Sequence, residues 1–171
     1  MFLVFIAPNN FKDENLAAIK LFLERWKLDY KIASYSKGEC KGYHGAIYRQ
    51  DISANKIAIQ DYEGIILVDG QGIDEYKLYE YRPLLDLLMQ FNNYNKNIIA
   101  IGNSVKLLAR ANIVQNKKVV VSKNDELRRL VQLFHGIPSE TNMEFAGNII
   151  TMDGSNINEQ ISETLKKLGK I

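Results

Sequence analysis

The most chemically suggestive stretch of the chain is Ile98–Ile113, IIAIGNSVKLLARANI, where a short apolar run meets a small-residue corner and continues with helical period. A strand that turns sharply into a helix exposes whatever stands at its tip, and many enzymes place a nucleophile there. Here the tip is Gly102, which has no side chain to attack with. Ser104 carries a hydroxyl two places on, but a serine nucleophile needs a base within reach, and Asn103 accepts no proton at neutral pH. Ser104 is therefore read as a helix cap or a solvated residue. Cys40 stands four residues before His44 in GECKGYHG, which suits a thiol–imidazole pair or half a metal site. No further Cys or His cluster completes four ligands, so no metal or cofactor is expected and Cys40 is read as an unreactive loop thiol. His135, in LFHGIP, follows an amphipathic pattern rather than a strand and is given no role. Tyr76, Tyr79 and Tyr81 either line a pocket mouth or subunit interface or pack partly buried against the sheet.

The elements that must hold these residues are legible as patterns. Phe2–Ala7, Gly64–Val68, Ile98–Ile101 and Val119–Val121 are continuous apolar runs, as expected of strands covered on both faces, and a further strand is expected near Tyr30–Ser34. Between them lie four stripes of helical period: Leu16, Ile19, Leu23 and Trp26; Leu84, Leu87, Leu88 and Phe91; Leu127, Leu130, Val131 and Phe134; Ile157, Ile161, Leu165 and Leu168. Asn156 with Glu159 predicts a capping box, and Pro83 marks a helix start. Ser36–Gly45 reads as a loop or hairpin. Alternating strands and helices predict one α/β domain over residues 1–171, a three-layer α/β/α sandwich on a mostly parallel sheet. Such sheets bind ligands beyond the carboxyl ends of their strands, so Pro8–Asp13, Asp69–Ile73, Gly102–Ser104 and the turn after Val121 are expected to converge.

Composition narrows the partners. The 22 Lys and Arg against 20 Asp and Glu are interspersed, and the short basic clusters Lys117-Lys118 and Arg128-Arg129 read as solvated faces, so no nucleic-acid partner is expected. One cysteine rules out an intramolecular disulfide and suits a reducing cytoplasm. The apolar start MFLVFIAPNN lacks a basic flank and ends too soon for a signal peptide or membrane span.

Six segments, APNNFKDEN, KGECKGYHGA, YEGIILVDGQGI, IIAIGNSVKLLARANIV, NKKVVV and GNIITMDGS, together resemble the PfpI/DJ-one family in order and spacing across the whole chain. The resemblance implies a flavodoxin-like fold and a homodimer or higher homo-oligomer. Active members read A-I-C-H-G-P across the corner, so the resemblance lays the nucleophile on Gly102, its histidine on Asn103, the glycine on Ser104 and the proline on Val105. The partner glutamate of F-R-D-E-E-L falls on Asn15, or on Glu14 if the register shifts by one. The G-G-x-G-like turn matches Asp69-Gly70-Gln71-Gly72, whose backbone N–H groups would help form an oxyanion hole. The expectation is a degenerate site at Gly102, Asn103 and Asn15 that keeps a pocket with candidate contacts at Gly70, Gln71, Gly72, Ser104 and Glu14. Its function would then be small-ligand binding, with an anion or carbonyl compound at the amides, or a structural role. The alternatives are a hydrolase, deglycase or glyoxalase-like enzyme using a non-standard residue, and a non-catalytic subunit of a mixed oligomer.

Overall fold

A computed structural model describes residues 1–35 and 38–171. In chain order the elements are β1 (Phe2–Phe5), β2 (Asn9–Phe11), α1 (Asp13–Arg25), β3 (Tyr30–Ser34), β4 (Glu39–Gly42), β5 (Ile47–Arg49), β6 (Ile52–Ser53), β7 (Gly64–Leu67) and the single turn α2 (Gly72–Glu75). Then follow α3 (Arg82–Asn93), β8 (Asn97–Ile101), α4 (Val105–Arg110), β9 (Lys118–Val120), α5 (Asp125–Leu133), β10 (Ile137–Ser139), β11 (Met143–Ala146), β12 (Ile149–Met152) and α6 (Ile157–Lys167).

Among the described residues, seven strands form the main sheet in the order β11-β12-β8-β7-β1-β3-β6, parallel except for the antiparallel edge pair β11–β12. Strand side chains alternate between faces, so each apolar run feeds two cores. Leu3, Phe5, Ile65, Leu67, Ile98 and Ala100 pack under α3, α4 and α5. Phe2, Val4, Ile66, Ile99 and Ile101 pack under α1 and α6. This is the expected three-layer sandwich. Leu84, Leu87, Leu88 and Phe91 of α3 are all buried, each contributing on the order of 1.5–3 kcal/mol. Pro83 lies in the first turn of that helix, as its fixed φ favours.

The structure corrects several local expectations. Trp26 is 46% exposed, because α1 ends at Arg25 and the stripe ends with it. Asn156 makes no side-chain cap to α6; Asp153 instead gathers the Ser155 N–H and the Gln160 side chain at that helix start. Strand β9 pairs with β10 in a separate two-stranded sheet. It is tied to β12 through the Val120 N–H, which donates to Thr151 Oγ1. The loop or hairpin expected over Ser36–Gly45 holds β4 and the turn of a hairpin whose second strand, β5, lies just beyond it, while Ser36 and Lys37 lie outside the described residues. Cys40 is on strand β4 rather than in a loop. Among the described residues, no helix is long and apolar enough to cross a membrane.

Candidate functional site

The carboxyl ends of β1, β7 and β8 open on one side of the sheet, and a cavity of about 340 Å³ lies there. Its walls are Asn10 and Lys12 from the first loop, Glu14 from α1, Asp69, Gly70 and Gln71 after β7, Asp74 from α2, and Asn103 after β8. The remaining wall is Tyr43 and His44, at the tip of the β4–β5 hairpin. Three of the four expected loops therefore converge. The turn after Val121 does not line the cavity, because β9 left the main sheet; the hairpin takes its place.

At the centre is the corner. Strand β8 ends at Ile101, a 3-10 turn covers Gly102–Ser104, and α4 follows. Gly102 has φ +56°, left-handed backbone that side chains with a Cβ resist. A Cβ built on it would overlap the carboxylate of Asp69, which occupies that space from across the gap. Asp69 Oδ1 accepts the N–H of Gly70 at 2.7 Å and that of Asn103 at 3.0 Å, and Oδ2 pairs with Lys12 Nζ at 3.2 Å. The backbone of Asp69 is also held, since its carbonyl accepts from Lys12 N–H at 2.8 Å and its N–H donates to Asn15 Oδ1 at 3.3 Å. The sequence reading leaves the amides of Gly70 and Asn103 free for a ligand. The structure overturns this, because a carboxylate of the chain itself satisfies both.

The other candidate residues divide into those that face the cavity and those behind it. Gly70, Gln71, Glu14 and Asn103 line it. Asn15 is buried beneath Asp69, whereas Glu14 is exposed on the rim, so Asn15 is the one packed against the corner's partners. Gly72 is buried behind the wall, where a Cβ would run into the Asn9 carbonyl. Ser104 is neither solvated nor in the cavity: it is buried, and its Oγ accepts from Ile101 N–H at 2.8 Å with the Ile101 and Leu67 carbonyls at 2.8 and 3.1 Å. That hydroxyl is fully engaged in holding the turn.

Sequence reasoning treats Asp69 only as the first residue of a turn. One signal was present, an acid where the G-G-x-G-like pattern begins with glycine. Asp74 was also missed. Its carboxylate accepts from Asn103 Nδ2 at 3.1 Å and pairs with the buried Lys106 at 2.6 Å, tying α2 to the corner and to α4. Nothing in the spacing of Asp74 and Lys106 announces that pair.

The remaining reactive types lie elsewhere. Cys40 is buried, and burial pushes its thiol above the ordinary value, against a smaller opposing effect from its hydrogen bond with Ser34. His135 follows α5 with φ +65° and does not line the cavity. Tyr76 and Tyr81 pack around Tyr35, and Tyr79 lies under Lys106 and Arg110. Among the described residues, no group of three His, Cys, Asp or Glu side chains is placed to hold a metal ion.

Comparison with known proteins agrees with this architecture. The chain is 33% identical over 149 residues to an uncharacterized protein of Methanocaldococcus jannaschii, covering 87% of this chain and 72% of that protein. A ThiJ/PfpI domain protein from Brachyspira murdochii superposes with a TM-score of 0.90 at 21% identity, over 99% of this chain and 96% of that one. Drosophila melanogaster DJ-1beta superposes with a TM-score of 0.76 at 20% identity, over 98% and 96%. The profile of the DJ-1/PfpI family matches residues 2–165, and the chain belongs to that family.

Proposed function

We propose that this chain is a non-catalytic member of its family that retains the pocket as a small-molecule binding site. The observation that carries the reading is the exchange of side chains across the corner. The position that the resemblance assigns to the nucleophile is Gly102, and the space its side chain would fill holds the Asp69 carboxylate. The corner keeps its left-handed backbone, so the turn persists without an attacking group. The facing turn supplies a carboxylate whose oxygens already accept two N–H groups and an ammonium. Those interactions draw on the lone pairs that a nucleophile or base needs. Ser104 and Cys40 offer no replacement, because one hydroxyl is spent on backbone groups and the one thiol is buried.

The test has a chemical and a binding arm. Wild-type protein should consume methylglyoxal and hydrolyse casein no faster than the Cys40→Ala variant. Iodoacetamide should label Cys40 only on the timescale of unfolding. A thermal-shift screen of small neutral and cationic metabolites should yield saturable stabilisation that is lost in Gln71→Trp, which fills the cavity. Turnover removed by Ser104→Ala, Asp69→Asn or Cys40→Ala would replace this reading with the enzyme alternative.

A further inference from the structure

Two backbone N–H groups from separate loops, after β7 and after β8, converge on one oxygen of a carboxylate whose other oxygen meets the Lys12 ammonium. Converging amides beside a cation compose an anion site. The site is built, because Gly102 allows no Cβ without displacing its occupant, and the backbone groups of Asp69 are fastened to Lys12 and Asn15. Its occupant is part of the chain: Asp69 is 7% exposed, with Oδ1 within 3.0 Å of both donors.

We propose that Asp69 determines the ligand selectivity of the pocket, acting as a tethered carboxylate that keeps this anion cradle filled and so bars carboxylate and phosphate ligands. The inference rests on the binding reading above and specifies its ligand class, which is uncharged or cationic. A tethered group competes at a high effective concentration set by its short link, so a free anion at millimolar levels does not displace it. Any anion that enters beside it also meets like charge. Asp69 and Glu14 face the cavity, as does Asp74, whose charge is shared with Lys106; among the described residues, the one ammonium lining the cavity, Lys12, is already paired. The amides that would stabilise an oxyanion in an open cradle thus become the fixed partners of an internal one.

The test titrates sodium acetate, and separately inorganic phosphate, against ¹⁵N-labelled protein at constant ionic strength, following the Gly70 and Asn103 amide signals. In wild type neither signal should move saturably. In Asp69→Ala both should shift together, with acetate binding at least about 10-fold tighter than to wild type, the size of one charge-assisted hydrogen bond. Asp69→Asn keeps an oxygen in the cradle and should stay unresponsive, while Lys12→Ala added to Asp69→Ala should weaken acetate several-fold. If Asp69→Ala is poorly folded, acetate but not chloride should raise its melting temperature; failure of that rescue counts against the proposal. Saturable acetate or phosphate shifts at Gly70 and Asn103 in wild type would overturn it, as would a folded Asp69→Ala that binds neither ion. Either result leaves the absence of turnover untouched, and turnover by wild type would overturn the functional reading without altering the acetate result.

Discussion

The chain uses one device twice at the pocket, with different consequences. At the corner, the Asp69 carboxylate accepts two backbone N–H groups in the space left by Gly102. At the hairpin, Asp13 in the first turn of α1 accepts the N–H groups of His44 at 3.0 Å and Ala46 at 2.9 Å, in the space left by Gly42. Gly42 lies in a strand and has no left-handed φ, so only room is required of it. Gly102 must supply both room and a left-handed backbone. Asp13 joins a hairpin to a helix and so shapes a wall of the cavity. Asp69 fills the cavity's chemical centre and has a cation partner in Lys12. A carboxylate that accepts two backbone N–H groups is scaffolding at the hairpin and, in the proposal above, selectivity at the corner, and what it faces makes the difference.

The comparison breaks most easily at the corner. Gly102→Ala combines an unfavourable backbone region with displacement of a hydrogen-bonded carboxylate, and should cost about 2–4 kcal/mol in chemical denaturation. In an Asp69→Gly background the added cost of Gly102→Ala should fall toward the backbone penalty alone, about 1–2 kcal/mol. Strict additivity of the two changes would show that the carboxylate does not hold that space. The same logic bears on Gly102→Cys in a Cys40→Ala background: beside the Asp69 carboxylate its thiol should titrate above the free-cysteine value of about 8.5, and Asp69→Gly should bring it down.

A smaller effect is expected at the hairpin. Gly42→Ala meets the Asp13 carboxylate first, with no left-handed backbone to strain, and should cost about 1–2 kcal/mol by overpacking, less than Gly102→Ala. If the two glycines cost the same, the left-handed backbone contributes nothing measurable and the corner is no different from the hairpin.

The smallest effect is the proton dependence of the hairpin. Burial pushes the Asp13 carboxyl up, but the N–H groups of Ala46 and His44, with smaller help from its own N–H and the charge of His44, hold it below its usual value. A group depressed in the folded state contributes stability that is complete above its unfolded value, about 4, and is lost as pH falls through the folded value. The His44 and Ala46 amide shifts should therefore move together below about pH 4. Asp13→Asn should abolish that movement at a cost of about 1 kcal/mol. Movement of the Gly70 amide with the same midpoint would mean that the two carboxylates are coupled rather than independent.

Much of this architecture could be read from residue patterns. Continuous apolar runs such as Ile98–Ile101 identified strands buried on both faces, since both cores draw on alternate residues of each run. The α3 stripe was legible for the same reason. Reading failed where an element's place depended on distant partners: Val119–Val121 has the composition of a central strand, yet among the described residues β9 pairs with β10 outside the main sheet, and its turn misses the cavity. At the site, the special conformation of Gly102 was foreseeable because a strand-to-helix corner demands it. The occupation of the amides was not.

By itself the sequence determined the layers, the glycine at the corner and the family, because periodicity and short motifs are local properties of the chain. Only the tertiary structure decided that Asp69 reaches Asn103, 34 positions away, and that the β4–β5 hairpin walls the pocket. Hydrogen bonds between loops depend on how strands from distant parts of the chain are ordered and registered in the sheet. No local spacing encodes which carboxylate will meet which amide once those ends are brought together.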